Sequence, residues 1–312
     1  MKIVVVDHVY LEEGHRKRLR SLGDLEVYNE PPKTADELRD RIENADAVIV
    51  GWTNLTKEDI EFSPRLKMIS IWATTCHYVD LKAAEEKKIV VTHVPTYATE
   101  AVAEHTFALL LATARKLRQA DEQVRAGDFD WRPLAGIELH GKTLGIIGTG
   151  SIGCRVAEIA KAFGMRILAY DKYPNVNRAR EIGIQYVPLK TLLEESEFIT
   201  LHVTLTSETQ GLIGREEINT MKKGAVIVNT SQGKVIDERA LADALASGRL
   251  SSAGLDVFSE EPPAKSNPLL SLDNTILSPH IGFHTIEAAR RCTDVCIDNV
   301  SKFLEGHPEN VC

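Results

Sequence analysis

The chain has 312 residues, of which 43% are hydrophobic and 26% are charged, and its formal net charge is −8. This length suggests about two domains, and the composition is that of an ordinary globular protein. The acidic balance argues against a nucleic-acid partner, because proteins that bind nucleic acids present a basic surface to the phosphates. No apolar run approaches the roughly 20 residues of a transmembrane helix, and the N-terminal run is too short for a signal peptide. We therefore expect no nucleic-acid partner, no membrane partner and a cytoplasmic location.

The five cysteines form no C-x-x-C pair and no Cys/His cluster with zinc-ligand spacing. Cys292 and Cys296 could share a helix face, but two thiols alone make a poor metal site. We expect no metal. Each cysteine is predicted to be a small buried hydrophobe or, in the C-terminal tail, a free thiol in a reducing compartment.

In the first third of the chain, short apolar runs alternate with helical stretches such as KTADELRDRIENA and DLKAAEEKK. The apolar runs are KIVVVD, DAVIVG, LKMISIW and KIVVTHV. Continuous runs rich in Val and Ile are typical of strands buried on both faces of a parallel sheet. The alternation predicts βα repeats that build such a sheet.

The longest helical pattern extends roughly from Thr99 to Arg125. Its middle is apolar almost all round, which predicts burial between domains or subunits. The segment that follows is loop-like and contains Trp131 and Pro133, so we interpret it as a connector or arm.

A second βα series begins at Thr143 with the runs TLGIIG, MRILAYD, EFITLHV, GAVIVNT, SAGLDVF and NTILSPH. Asp237 can cap the helix after the fourth run, and Gly248 can end it. The last helix, in HTIEAARRCTDVCIDNVSKFLEG, is expected to pack back on the first domain. We therefore predict a discontinuous substrate domain of residues 1–97 plus 284–312, and a nucleotide-binding domain of residues 98–283.

A dinucleotide motif opens this second series. Gly148, Gly150 and Gly153 follow a strand directly and begin a helix, where they permit a tight turn, close approach of a pyrophosphate and helix–strand packing. The helix N-terminus offers free N–H groups and partial positive charge to the phosphates. Asp171 ends the next strand, 18 residues after Gly153, at about the spacing of a ribose-binding carboxylate. Together they predict an NAD site, since Asp171 would repel the 2′-phosphate of NADP.

Hydride transfer from an alcohol carbon requires a base near neutral pKa, and histidine is the natural choice. Among ten histidines, His280 ends the strand TILSPH, at the sheet edge where ligands bind in doubly wound folds. A carboxylate would orient it, and Asp256, Glu260 and Glu261 are all candidates in LDVFSEEPP. The alternative is a histidine that satisfies a core or capping hydrogen bond.

Four segments in order, GKTLGIIGTGSIG, VNTSQGKVIDERAL, LDVFSEEPP and LSPHIGFHT, resemble the D-isomer-specific 2-hydroxyacid dehydrogenase family. VPTYATEAVAEHTFALLLATARKL resembles the interdomain helix of that family, so the resemblance covers essentially the whole chain. It implies an α/β fold of two Rossmann-like domains with parallel sheets and an active site in the cleft between them. It also implies a homodimer formed through the long helix and the arm after it.

The resemblance implies roles for individual residues. His280 would be the acid/base and Glu261 its carboxylate partner, while Asp256 would hold the nicotinamide end of the cofactor. Ser151 and Ile152 would lie at the pyrophosphate. The further cofactor-binding positions are Thr204 and Thr230, which line the cofactor cleft, and Val102, which touches the nicotinamide.

Two segments depart from the family pattern. Gln232 stands where the family carries an arginine that grips the substrate carboxylate. Losing it replaces charge-assisted hydrogen bonds of about 1.5–3 kcal/mol with neutral ones of about 0.5–1.5 kcal/mol. In WATTCHYVD, Thr75 replaces the glycine of a loop whose amides hold the carboxylate, so Thr74 and Thr75 are predicted to bind substrate. His77 replaces an acidic residue of that loop.

The leading hypothesis is an NAD-dependent oxidoreductase of a small 2-hydroxy or 2-keto acid or an analogue, with altered substrate recognition at Gln232. Lys234, His77 and His284 stay open as replacements for the missing cation. One alternative is the same enzyme working poorly. Another is a non-catalytic NAD(H)-binding regulator, against which the presence of both His280 and Glu261 argues.

Overall fold

The computed structural model describes residues 1–312 and divides them into two compact units. The first comprises Met1–Ala98 and His284–Cys312, and the second comprises Thr99–Phe283. Both are α/β units built on a parallel sheet, which confirms the predicted fold class. None of the helices combines the length and the apolar character that crossing a bilayer would require.

The first unit has five parallel strands in the order β2-β1-β3-β4-β5, with elements numbered in chain order. The strands are β1 (Lys2–Val5), β2 (Asp24–Val27), β3 (Ala47–Val50), β4 (Met68–Ile71) and β5 (Val90–Thr92). The helices are α1 (Glu13–Leu22), α2 (Ala35–Ile42), α3 (Lys57–Phe62), α4 (Leu81–Glu86) and α12 (Ile286–Leu304). The sequence analysis missed β2, because this edge strand is polar and only partly buried.

The sheet of the first unit carries a hydrophobic cluster on each face. Successive side chains of β1 point to opposite faces of the sheet. Val4 belongs to one cluster, and Ile3 and Val5 belong to the other. Helix α12 packs against α1 and β4 and buries Cys292 and Cys296 in the second cluster. The last helix therefore packs on the sheet of the first unit, as expected.

The C-terminal tail crosses the edge of this sheet and forms a disulfide. Val311 pairs with Thr92 of β5 in antiparallel fashion, and the Cys312 amide donates to the Val91 carbonyl at 2.9 Å. Cys312 and Cys76 are thereby brought to a Cα–Cα distance of 6.3 Å and are disulfide-bonded. The prediction that these two are unpaired was wrong, because the 236-residue separation gives no local pattern. Cys292 and Cys296 are buried free thiols, as predicted.

The second unit has seven parallel strands in the order β12-β11-β10-β9-β6-β7-β8. The strands are β6 (Thr143–Ile147), β7 (Arg166–Tyr170), β8 (Gln185–Tyr186), β9 (Phe198–Leu201), β10 (Val226–Asn229), β11 (Ser252–Leu255) and β12 (Thr275–Leu277). The helices are α5 (Thr99–Ala114), α6 (Leu117–Arg125), α7 (Ser151–Ala162), α8 (Val176–Ile182), α9 (Leu189–Glu195), α10 (Arg215–Thr220) and α11 (Glu238–Ala246). The strand order reverses between β6 and β9, and such a switch point is where doubly wound sheets bind nucleotides. Asp237 caps α11 through the Arg239 and Ala240 amides, as predicted.

The long helix predicted from Thr99 to Arg125 is in fact two helices. The chain breaks at Lys116, whose φ of 51° lies in the left-handed region. Helix α5 is buried against α7, β10 and β11, whereas α6 has no buried residue. The prediction failed because the break contains no Gly or Pro to signal it.

Candidate active site

The glycine loop between β6 and α7 fits a dinucleotide pyrophosphate. Gly148 has a φ of 94°, and a Cβ there would lie 2.6 Å from the His202 carbonyl oxygen. A Cβ on Gly153 would lie 2.0 Å from the Gly148 oxygen, so helix and loop touch only because both residues are glycine. Around Gly150 a Cβ would meet nothing within 4 Å, and no side chain caps α7. Open space in front of uncapped helical N–H groups is what a phosphate requires.

Asp171 follows β7 and faces this loop. Its carboxylate accepts from the Thr149 amide at 2.6 Å, the Thr149 hydroxyl at 2.9 Å and the Tyr173 amide at 2.8 Å. Burial alone would raise the pKa of Asp171, but these hydrogen bonds outweigh it and the net pKa is lowered. Asp171 is therefore an anion at neutral pH, as a ribose-binding residue that excludes a 2′-phosphate must be.

A cavity of about 620 Å³ lies in front of these groups. Its lining includes Gly148, Gly150, Asp171, Lys172, His202 and Thr204. The nearest cation, Lys172, is ion-paired with Glu208. Burial lowers the pKa of His202 to about 3, so its ring is neutral at physiological pH. The cavity is thus large enough for an adenosine. Its lining has no unpaired cation that would bind a 2′-phosphate.

The remaining predicted cofactor residues lie around the same sheet edge. Ser151 and Ile152 are the first two residues of α7, the former exposed and the latter packed on the core. Thr230 follows β10, and its hydroxyl lies 2.9 Å from that of Thr106 on α5. Val102 is one turn earlier on α5, where its carbonyl accepts from the Thr106 hydroxyl.

Asp256, at the end of β11, is the most heavily bonded carboxylate of this edge. Its side chain is 1% exposed and accepts from the Ser278 hydroxyl at 2.6 Å and the Ile281 and Gly282 amides at 2.9 and 2.7 Å. His105 Nε2 lies 3.2 Å from the same carboxylate. Burial opposes ionisation, but these partners lower the pKa of Asp256 to about 2.

These bonds hold the turn that carries His280. The His280 amide donates to the Asp256 carbonyl at 2.8 Å, so the turn is attached to Asp256 through both backbone and side chain. His280 itself has a φ of 54°, a left-handed conformation that non-glycine residues adopt when surrounding structure enforces it. Asp256 therefore fixes the direction in which the imidazole leaves the backbone.

The structure brings together the predicted acid/base and its partner. His280 Nδ1 lies 2.7 Å from Glu261 Oε2, while the other Glu261 oxygen accepts from the Phe258 amide at 3.0 Å. This bond assigns the proton to Nδ1 and leaves Nε2 as the atom that can take or release a proton. The side chains are 47% and 37% exposed, so a substrate can reach the ring. Asp256 and Glu260, the other candidates, do not contact the imidazole nitrogens.

Gln232 begins the short turn after β10. The buried Asn229 side chain donates to the Gln232 carbonyl at 2.9 Å and fixes the loop. Next along the chain, a Cβ on Gly233 would lie 1.9 Å from the Phe258 backbone, so this loop packs directly on the segment that leads to Glu261. The Gln232 amide caps nothing in its own turn and is half-buried. Lys234 is exposed two residues later.

The other predicted substrate residues lie in the first unit, in the loop between β4 and α4. Thr74 and Thr75 are exposed. The Thr75 hydroxyl lies 2.7 Å from His77 Nδ1, and the His77 ring stacks on Tyr78 with centroids 4.1 Å apart. His93 Nδ1 lies 2.7 Å from the Thr74 carbonyl oxygen.

Three residues of the network escaped the sequence analysis. His105 and Ser278 complete the shell around Asp256, and Asn229 holds the Gln232 loop. A signal existed only for Asn229, a polar residue that ends the apolar run GAVIVNT.

Comparisons with known proteins agree with this geometry. Residues 107–282 match the sequence profile of the D-isomer specific 2-hydroxyacid dehydrogenase NAD binding domain. D-3-phosphoglycerate dehydrogenase of Methanocaldococcus jannaschii is 43% identical over 314 positions, which cover 100% of this chain but only 59% of that relative. Glyoxylate reductase of Korarchaeum cryptofilum is 41% identical, covering 91% of this chain and 87% of the relative.

Among solved structures, an acyclic imino acid reductase in complex with NADPH and D-Arg has a TM-score of 0.89 and 36% identity, covering 100% of both chains. The match to an NAD binding domain confirms the predicted cofactor. The relatives are dehydrogenases and reductases of this family, so the chain is an enzyme. By profile and by relatives alike, it belongs to the D-isomer specific 2-hydroxyacid dehydrogenase family.

Proposed function

We propose that the protein reduces a small 2-keto acid, or a close analogue, to the corresponding 2-hydroxy acid with NADH. The observation that carries this proposal is the Glu261–His280 pair at 2.7 Å, at the carboxyl edge of the NAD-binding sheet. Neither residue is needed for cofactor binding alone. A partnered imidazole beside a nicotinamide site is the arrangement that proton transfer to a carbonyl oxygen requires.

In this mechanism His280 Nε2 donates a proton to the carbonyl oxygen as that oxygen becomes an alkoxide. Glu261 accepts a hydrogen bond from Nδ1–H and so holds the ring with Nε2 free for the transfer. Asp256 keeps the His280 turn in place throughout. NADH, when bound, supplies the hydride, and the reverse reaction uses neutral His280 as the base.

The residues that would hold the cofactor are those of the glycine loop and the ribose carboxylate. Gly148, Gly150 and the N-terminus of α7 would take the pyrophosphate, and Asp171 the ribose hydroxyls. The anionic state of Asp171 and the pairing of Lys172 with Glu208 both favour NAD over NADP.

We further propose that Gln232 meets the substrate as a neutral hydrogen-bond donor. Its loop packs on the segment leading to Glu261, which supports a position near the acid/base pair. A neutral donor gives up about 1–2 kcal/mol per bond relative to arginine, or roughly fivefold to thirtyfold in rate. Thr74 and Thr75, in the loop between β4 and α4, are proposed to bind the substrate carboxylate.

The same neutral residue favours a second candidate reaction, reduction of a 2-imino acid to an amino acid. One structural neighbour is an acyclic imino acid reductase. A protonated imine is already polarised and carries positive charge, so an adjacent arginine would repel it and a glutamine would not. Hydride addition to the protonated imine gives a neutral amine directly, so His280 would act only afterwards, by protonating that amine.

We propose that the chain forms a homodimer through α6 and the arm after it. Helix α6 buries none of its residues, and Leu117 and Val124 on it are 53% and 56% exposed. Phe129 and Trp131 in the arm are 87% and 79% exposed. Large apolar side chains this exposed are typical of a surface that a second copy covers. The cytoplasmic location stays a prediction.

The test is NADH oxidation with a panel of 2-keto acids, each assayed with and without ammonium to form the imine. Turnover without ammonium supports the keto-acid reaction, and turnover only with ammonium supports the imine reaction. NADH binding without turnover of any compound would contradict both.

A further inference from the structure

The Cys76–Cys312 disulfide joins the C-terminus of the chain to the loop between β4 and α4. This loop contains Thr74 and Thr75, the residues proposed to hold the substrate carboxylate. Cys312 is the last residue and is exposed, while Cys76 is half-buried against the core of the first unit. The covalent bond therefore lies one residue from a proposed substrate contact.

The two ends of the loop are held without the disulfide. At its start, the Val94 amide donates to the Ala73 carbonyl at 2.9 Å. At its end, the Leu55 amide donates to the Tyr78 carbonyl at 2.8 Å, and the Asp80 amide donates back to Leu55 at 3.0 Å. Breaking the disulfide would leave both attachments intact.

The middle of the loop is held differently. Thr75 and His77 bond to each other, and the Cys76 carbonyl accepts from the Val79 amide at 3.3 Å within the loop. No hydrogen bond joins residues 75–77 to another part of the first unit. The disulfide is thus the one directional link between the centre of the loop and the body of the unit.

Hydrogen bonds to the first unit hold the tail segment that carries Cys312. The His93 amide donates to the Asn310 carbonyl at 3.0 Å, the Asn310 side chain donates to Asn299 at 2.9 Å, and Cys312 donates to Val91. None of these bonds involves a sulfur atom, so they hold the tail at this edge of the sheet independently of the disulfide.

We propose that Cys76–Cys312 is a thiol–disulfide exchange site for dithiol reductants, and that its redox state sets the affinity for the 2-keto acid. The regulatory half of this proposal rests on the proposed function. A dithiol thiolate attacks the exposed Cys312 sulfur, the S–S bond breaks, and Cys76 leaves as a thiolate that takes a proton. The second thiol of the reductant then displaces Cys312 and closes a cyclic disulfide, so two electrons and two protons reach the protein.

Reduction releases residues 75–77, which must then be ordered whenever substrate binds. Fixing the backbone of even one residue corresponds to about a fivefold change in affinity. We therefore expect the KM for the 2-keto acid to rise at least about fivefold on reduction. The kcat and the dissociation constant for NADH stay unchanged, because His280, Glu261 and the glycine loop belong to the second unit.

The experiment compares the air-oxidised and dithiothreitol-reduced forms of the full chain, with alkylation under denaturant to count thiols. The oxidised protein should show three free thiols, Cys154, Cys292 and Cys296, and the reduced protein should show two more. Five free thiols after oxidation would overturn the proposal. So would an oxidised form whose KM equals that of the reduced form.

The matched control is Cys312→Ser, which removes the disulfide by changing an exposed side chain. It should show the KM of the reduced wild type and no response to dithiothreitol. A dithiothreitol effect that persists in this variant would assign the response to other thiols and overturn the proposal.

Amide hydrogen exchange at residues 75–77 gives a readout that needs no substrate. Exchange should accelerate at least about fivefold on reduction, and equal rates in both states would overturn the proposal. If no 2-keto acid is turned over in either state, the proposed function fails, while accelerated exchange still supports redox control of the loop.

Discussion

Replacing Asp256 with asparagine tests whether one buried carboxylate fixes the His280 turn. A carboxyl group whose pKa falls from 3.8 to about 2 on folding stabilises the folded state by roughly 2 kcal/mol at neutral pH. The amide also turns an N–H group toward a donor, because Gly282 N–H occupies one oxygen and Ser278, Ile281 and His105 occupy the other. An unsatisfied buried donor costs about 1–3 kcal/mol. Part of this cost is the same energy as the stabilisation that the lowered pKa reports, so the two figures do not add in full.

We therefore expect Asp256→Asn to destabilise the protein by about 2–4 kcal/mol and to lower the Tm by roughly 5–15 °C. Calorimetric melting at neutral pH measures this. The matched control is Asp243→Asn on α11, whose ion pair with Arg215 is exposed, so its loss should leave the Tm nearly unchanged.

The stabilisation by Asp256 depends on pH. The folded-state pKa of Asp256 is depressed, so its stabilisation is complete above the unfolded value of 3.8 and is lost as pH falls toward about 2. The difference between wild type and Asp256→Asn should shrink to about half near pH 3. A variant that melts within about 2 °C of wild type at neutral pH would refute the reasoning.

Three further changes test separate residues. Gln232→Arg should raise glyoxylate reduction at least about tenfold if the site takes 2-keto acids. The same change should lower turnover of a 2-imino acid. Equal effects on both substrates would contradict a role of Gln232 in distinguishing keto acids from imino acids. Asp171→Ala should shift the NADPH-to-NADH ratio of kcat/KM by at least about tenfold toward NADPH, since the lost carboxylate no longer repels a 2′-phosphate. Lys172→Ala, which removes a charged side chain at the next position, serves as the control. Trp131→Ala should weaken the dimer in sedimentation velocity at micromolar protein, and an unchanged dimer, or a monomeric wild type, would contradict the proposed surface.

The parts of the fold that follow local rules could be predicted from the sequence. Gly148, Gly150 and Gly153 occupy the positions that strand, turn and helix geometry requires, and Asp237 caps its helix because the side chain needs only neighbouring amides. Asp171 directly follows its strand, so its position also depends only on nearby sequence. Each of these features depends on contacts within a few residues, where spacing alone fixes geometry.

Features that depend on distant contacts could not be predicted in this way. The helix break at Lys116 has no local breaker, and the edge strand β2 carries too little apolar pattern. Cys76 and Cys312 meet only because the tail pairs with β5. The approach of His105 to Asp256 likewise depends on how α5 packs on the sheet. Tertiary packing decided these cases, and a single sequence does not encode it in any short window.

For Gln232 the sequence located the departure but not its consequence. The residue was identified against the family pattern, while the packing of Gly233 on Phe258 became visible only in the structure. Its chemical role stays a prediction until substrates are assayed.

The most direct test of the central claim is NADH turnover with 2-keto acids by wild type, His280→Asn and Glu261→Gln. The account predicts turnover by wild type and a loss of at least about a hundredfold in His280→Asn, with NADH binding retained in both variants. Glu261→Gln should lose less than His280→Asn, because the imidazole is retained. It should still lower turnover, because both Glu261 oxygens accept hydrogen bonds and an amide can accept only one of the two. Undiminished turnover by His280→Asn would contradict the account.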